Sequence, residues 1–218
     1  NDQPQLQAFN SFSYVPSNIH LNSDWTAQYQ GIYRTNALIN MLPEINMNDS
    51  TKVQMMAEGK FLRAFYYFNL VTVYGGVPLV DHVLAPTEFQ MGRASEDEIW
   101  DFIELNLEEA IDDLRLRSEL SFDDYGRVTK GAARSLLLKT LVYREKWSDA
   151  VILGDIIINT NQYSLDADYE DIFTIAGENG PGSIFEIQRS SQGGGYWGNV
   201  NGSNDGNLAV VYQLPRGA

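Results

Sequence analysis

Residues 57–80 run AEGKFLRAFYYFNLVTVYGGVPLV, with three phenylalanines and three tyrosines before a Gly-Gly-x-Pro stop. At helical spacing Val53, Met56, Ala57, Phe61, Ala64, Phe65 and Phe68 form one apolar side. Leu62, Tyr66, Leu70 and Val73 occupy the other. A surface helix keeps a polar face, and one apolar on both sides must be sandwiched between neighbours. Gly75-Gly76 supplies a left-handed stop and Pro78 prevents continuation. The stretch therefore requires a multi-helix fold with this helix as an inner layer.

The flanking segments supply the other helices. Ser23 or Asn22 can cap a helix from about Trp25 to Leu42, with Trp25, Tyr29, Ile32 and Ile39 near one stripe and Pro43 at its end. Asp49-Ser50 starts the aromatic helix. Ser95-Glu96-Asp97-Glu98 is a capping box, followed by Ile99, Ile103, Leu107, Ala110, Ile111 and Leu114 at period 3.6. Thr129 opens a further helix containing Ala132, Ala133, Leu136, Leu137 and Leu141, and Trp147 begins its partner. From about residue 160 the pattern changes: 183–188 (SIFEIQ) alternates like a short strand, and 190–207 is a Gly/Asn/Ser loop. The chain thus divides into an N-terminal loop (1–22), a helical scaffold (23–160) and an irregular region (161–218). Residues 132–158 loosely match one tetratricopeptide unit, with Gly154 where an aromatic is usual. The fold class expected is mainly α, built from tetratricopeptide-like antiparallel helix pairs, with a small irregular and short-strand region toward the C-terminus.

Composition excludes several functions. A formal net charge of −14, with no run of Lys or Arg, argues against nucleic acid and against adhesion to an anionic membrane surface. Cysteine is absent, which removes disulfides, thiolate metal sites and cysteine nucleophiles together. His20 and His82 have no motif around them. Asp123-Asp124 could be imagined as glycosidase acids, but nothing sets a raised-pKa acid opposite a base, and a solvated loop is the simpler reading. Asn201, Ser203, Asp205 and Gly206 faintly echo a calcium loop, yet Tyr212 stands where the bidentate Glu belongs. No metal, cofactor or catalytic residue is expected.

The 57–80 stretch closely resembles the signature of the SusD/RagB family, through its AE–FLRAFYYF–L–YGGVPLV skeleton. WTAQYQGIYRTNALI (25–39), RASEDEIWDFIELNLEEAIDDL (93–114), GRVTKGAARSLLLKTLVYREKWSDA (126–150), YSLDADYEDIF (163–173) and GSIFEIQ (182–188) agree in the same order. Glu58, Phe61, Arg63, Phe65, Tyr66, Phe68, Gly75 and Pro78 are the signature positions. The resemblance implies a non-catalytic, cell-surface glycan-binding lipoprotein of the outer membrane. Such a protein passes oligosaccharides to a SusC-like TonB-dependent transporter, and its only membrane contact is an N-terminal lipid anchor, missing from this sequence. Family members are longer and begin with a lipidated cysteine, so the chain is expected to be a fragment whose C-terminal remainder lies elsewhere. Arg63 is expected to pair with a carboxylate, Glu58 being one candidate, or to cap carbonyls between helices.

Sugar binding suits the loops. Aromatic faces stack on the C–H faces of a sugar while Asn, Asp and Arg meet its hydroxyls. Tyr196 and Trp197 beside Asn199, Asn201 and Asn204 form one candidate set, and Tyr14, Asn18 and Asn22 form another. Alternatively Trp197 anchors its own loop. Trp25, Trp100 and Trp147 sit on helical stripes and are expected in the core. Two other functions stay open at this point: a helical-repeat adaptor for protein or peptide, and a helical glycoside hydrolase.

Overall fold

The structure is a computed structural model of the 218-residue chain and describes residues 4–188. Six α-helices occur among the described residues: α1 (Pro4–Asn10), α2 (Ile19–Met41), α3 (Asp49–Tyr74), α4 (Glu96–Asp113), α5 (Lys130–Tyr143) and α6 (Trp147–Asn159). Packing follows chain order, with α2 on α3, α3 on α4, α4 on α5 and α5 on α6. The three-residue link 144–146 forces α5 and α6 antiparallel, as in a tetratricopeptide pair.

The caps explain the helix starts. Asn48 accepts from the amides of Ser50 and Thr51 to begin α3. At α4 the capping box forms in full: Ser95 Oγ accepts from the Glu98 amide, and Glu98 Oε2 accepts from the Ser95 amide at 2.8 Å. Thr129 Oγ1 accepts from the Ala132 amide to start α5. The start of α2 differs from expectation. Asn18, not Ser23 or Asn22, is the cap, so the helix begins six residues before Trp25. Ser23 lies inside it and bonds back to the Ile19 carbonyl. Part of the expected N-terminal loop is also helical, as α1.

Helix α3 is the middle layer. Phe61, Ala64, Tyr67, Phe68 and Leu70 are all at most 5% exposed, with α2 on one side and α4 on the other. The Tyr67 ring meets Phe102 edge-on at 5.4 Å, and Phe68 meets Trp100 at 5.6 Å. Phe65 and Tyr66 are half-buried. A Cβ at Gly31 of α2 would lie 2.4 Å from the Tyr66 ring, so that glycine makes room for the aromatic. The outer ends of both stripes are bare, with Val53 and Val73 exposed.

The Gly-Gly-x-Pro stop has two distinct causes. Gly75 has φ +69, a conformation that L side chains rarely adopt. A Cβ on Gly76 would sit 2.2 Å from the Ala94 carbonyl oxygen, so the chain passes too closely there for any side chain. Arg93 fastens this turn by donating to the carbonyls of Gly76 and Tyr74. The irregular strap beyond it is pinned by two tyrosines: Tyr29 donates to the Pro78 carbonyl at 2.7 Å, and the Val80 amide donates to the Tyr67 hydroxyl.

Arg63 is 8% exposed and has no carboxylate in hydrogen-bond range. Nε and Nη2 both donate to Asn106 Oδ1 on α4, while Nη1 donates to Asn36 Oδ1 on α2 and to the Asp81 carbonyl. Its guanidinium also lies 4.9 Å from the Phe102 ring centroid. Burial pulls its pKa below the ordinary value, against the attraction of Asp81. One arginine therefore ties three layers and the strap. Carbonyl capping holds as expected, but the Glu58 pairing does not: Glu58 binds Arg127 instead, through Nε at 3.0 Å and Nη2 at 2.7 Å.

Two further expectations fail. No strand forms at 183–188; the segment is irregular, and Phe185 packs edge-on against Phe61 at 5.3 Å. A strand needs a ladder partner, and none of the described residues supplies one. Trp100 is buried and Trp25 partly so, but Trp147 is 58% exposed, because α6 packs on α5 and its outer side, with Val151, Ile152 and Ile158, is uncovered. Arg117 organises the irregular end. It donates to the carbonyls of Asn179, Gly180 and Ser183 at 2.6–2.7 Å and lies over the Tyr163 ring.

Candidate functional site

The N-terminal segment folds back over the start of α2. The Ser13 amide donates to the Ala8 carbonyl, and Phe12 takes a positive φ of 52 to turn the chain. Tyr14 then stacks on Phe9, with centroids 4.9 Å apart and planes 23° from parallel. Asn18 closes the turn. Its Oδ1 accepts from the His20 amide and its Nδ2 donates to the Gln5 carbonyl, both at 2.9 Å. At 2% exposed, with both ends of its amide engaged, Asn18 holds the loop in place rather than facing a ligand.

Beside this loop lies an open groove of about 620 Å³, lined by Tyr14, Pro16, Leu21, Asn22, Trp25 and Tyr74. It forms where the beginning of α2 meets the end of α3. Trp25 and Tyr74 pack edge-on at 5.1 Å and 86°, and Trp25 also leans on Tyr29 at 4.9 Å. Tyr14 is 48% exposed, so a ring face is available at the mouth. The Tyr74 hydroxyl donates toward the Leu21 carbonyl at 2.8 Å, with Asp24 Oδ2 at 3.1 Å. Burial, reinforced by that carboxylate, pushes the Tyr74 hydroxyl up to about 12, so it stays protonated at physiological pH. The groove is apolar in its walls and polar at its rim, and its size suits a few sugar units.

Of the sequence candidates, Tyr14 and Asn22 line this groove and Asn18 supports it from behind. Tyr196, Trp197, Asn199, Asn201 and Asn204 lie outside the described residues. Sequence reasoning placed Trp25 in the core and Tyr74 merely before the stop. Their convergence depends on a contact between residues 49 apart, which no local pattern announces. A second cleft, between Arg117, Tyr125, Arg127 and Glu186, holds only about 30 Å³, room for one water.

The Asp123-Asp124 loop gives no support to a glycosidase acid. Asp124 bonds Arg115 at 3.0 Å and Ser121 at 3.1 Å, and these contacts hold its carboxyl below the usual range. A glycosidase acid needs the opposite shift. His82 is clasped by Asp81 at 2.7 Å and by Glu88 at 3.3 Å on the exposed strap. Among the described residues, no group of three His, Cys, Asp or Glu could hold a metal, and no helix is long and apolar enough to cross a membrane.

Comparison with known proteins agrees with this architecture. A laminarin-binding SusD-like protein of known structure superposes with a TM-score of 0.86 at 33% identity, over 91% of this chain and 44% of that one. Surface glycan-binding protein A from Bacteroides thetaiotaomicron, solved with laminarihexaose, gives 0.77 at 28% identity over 87% of this chain and 40% of its own. A SusD-like protein of Formosa agariphila is 28% identical over 155 residues, which are 70% of this chain and 29% of that protein. The chain therefore spans about a third of the curated relatives it matches. A SusD-like family model, described as starch-binding and associating with the outer membrane, matches residues 4–141. With that model covering well over half of its length, the chain belongs to the SusD-like family.

Proposed function

We propose that the chain is the scaffold of a non-catalytic glycan-capture protein at the outer-membrane surface, which hands oligosaccharides to a SusC-like TonB-dependent transporter. The observation that carries this reading is the groove of Tyr14, Trp25 and Tyr74: aromatic walls with hydrogen-bonding groups at the rim fit a sugar's apolar faces and hydroxyl edge. One solved relative is named for laminarin binding and another was solved with laminarihexaose, which makes laminarin the first ligand to try. Tyr196, Trp197, Asn199 and Asn201 supply further stacking and hydrogen-bonding groups in the same reading. Membership of the SusD-like family, together with the lowered Asp124 carboxyl, supports retention of the sugar without turnover.

Affinity electrophoresis through laminarin-containing gels tests this directly. The wild-type chain should be retarded, and Tyr14→Ala should lose most of the retardation with an unchanged helical circular-dichroism spectrum. Full retardation of the variant would move the site away from the groove. Release of reducing ends from laminarin would replace capture by hydrolysis.

A further inference from the structure

The groove has two walls of different origin. Trp25 and Tyr74 stand on α2 and α3, and the packing of those helices fixes their rings. Tyr14 and Pro16 come from the N-terminal segment that folds back over α2. That segment has little to hold itself in place. Helix α1 has seven residues, too few for a helix to be stable alone in water. The apolar side chains of the segment are poorly covered, with Leu6 39%, Val15 55% and Phe12 88% exposed. A buried side chain ties it down. Asn18 is 2% exposed; its Oδ1 accepts from the His20 amide to cap α2, and its Nδ2 reaches back 13 residues to the Gln5 carbonyl in α1. Helix α1 in turn carries Phe9, on which Tyr14 stacks and which meets His20 edge-on at 6.5 Å. The path from the α2 cap to the groove wall therefore runs through Asn18, Gln5, Phe9 and Tyr14.

We propose that Asn18 is a positioning residue for the groove: its amide donor latches α1 to the cap of α2 and so holds the Tyr14 ring in place as a sugar-stacking wall. The proposal rests on the reading that the groove binds carbohydrate. Asn18 itself touches no sugar. The two ends of its amide have separate tasks, the acceptor starting α2 and the donor setting the wall. Serine or aspartate can perform the first, since both are good helix caps. Neither performs the second: a serine hydroxyl stops short of Gln5, and a carboxylate has no donor to offer its carbonyl. Without the latch Tyr14 loses its backing by Phe9. Binding must then reorder the wall, which lowers affinity without touching the contacts the sugar makes.

The test is calorimetry with laminarihexaose. Asn18→Ser should bind about fivefold more weakly than wild type with an unchanged helical circular-dichroism spectrum, and Tyr14→Ala should lose at least as much. The two losses should not multiply. The double variant should bind within about twofold of Tyr14→Ala alone, because Asn18 acts through that ring. Should Asn18→Ser lose helix, Asn18→Asp carries the same expectation, since its charge suits the start of α2. Wild-type affinity in either folded variant would overturn the proposal while leaving the groove as the sugar site. Losses that multiply in the double variant would overturn it too, by showing that Asn18 acts independently of Tyr14. Loss of helix in both variants would make Asn18 a structural cap alone, against the proposal. No binding by wild type would remove the carbohydrate reading itself, and the positioning role with it.

Discussion

Replacing Arg63 by methionine keeps most of the stem's length and removes only the charged fork. It would strip partners from Asn106 Oδ1 and Asn36 Oδ1, whose residues are 1% and 0% exposed, and from the Asp81 carbonyl. Asn106 Oδ1 and Asn36 Oδ1 are the two buried acceptors left unpaired, at about 1–3 kcal/mol each, so the gross loss is about 2–6 kcal/mol. Relief from burying the guanidinium offsets part of that, since desolvation is the main cause of its lowered pKa. The net expected loss is about 2–4 kcal/mol, measured by urea unfolding followed at 222 nm. Adding Asn106→Leu removes the orphaned acceptor, because its amide otherwise reaches only the Phe102 carbonyl inside α4. The double variant should therefore lose about 1.5 kcal/mol less than the two single losses summed. Strict additivity, with a coupling below about 0.5 kcal/mol, would refute the view that Arg63 is the tie between layers.

Phe68→Ala should cost about 3–5 kcal/mol, because the 5% exposed ring leaves a cavity between Trp100 and Tyr143; a loss under about 1 kcal/mol would contradict the sandwiched helix. Gly76→Ala should cost about 2–3 kcal/mol through the clash with the Ala94 carbonyl, while Gly92→Ala, in open space, should stay within about 0.5 kcal/mol. The bonds of His82 with Asp81, and then Glu88, raise its pKa above 6.5, and the carboxyls of Asp81 and Glu88 are lowered below 3.8 and 4.5. The His82 contribution is complete below its unfolded pKa and is lost as pH rises through the raised value; the carboxylate contributions are present above their unfolded values and lost as pH falls. Destabilisation by His82→Gln should therefore be larger near pH 5.5 than at pH 8.5. A histidine titration midpoint at or below 6.5 for His82 by NMR would refute the clasp.

The caps and stops of this fold are written locally, which is why they could be read. Ser95 and Glu98 sit three residues apart, Gly75-Gly76 adjoins its own turn, and the two-sided burial of α3 follows from its periodicity. What could not be read depends on distant pairs. Arg63 meets partners 27 and 43 residues away, and Glu58 meets Arg127 across 69. The early start of α2 was hidden because Asn22, Ser23 and Asp24 break the apolar stripe, although the polar run is helical once Asn18 caps it. Trp147 shows the same limit from another side: periodicity marks an apolar face but not whether a neighbour covers it. For the site, Tyr14 was legible as a loop aromatic. Trp25 and Tyr74 were not, since their rings join it only after α2 and α3 pack.

A crystal structure of the 218-residue chain with laminarihexaose tests the central claim most directly. The account predicts sugar rings about 4 Å above the faces of Tyr14 and Trp25, with a sugar hydroxyl hydrogen-bonded to Asn22 or to the Tyr74 oxygen. A hexasaccharide ordered elsewhere on the described surface, with the groove of Tyr14, Trp25 and Tyr74 empty, would contradict it.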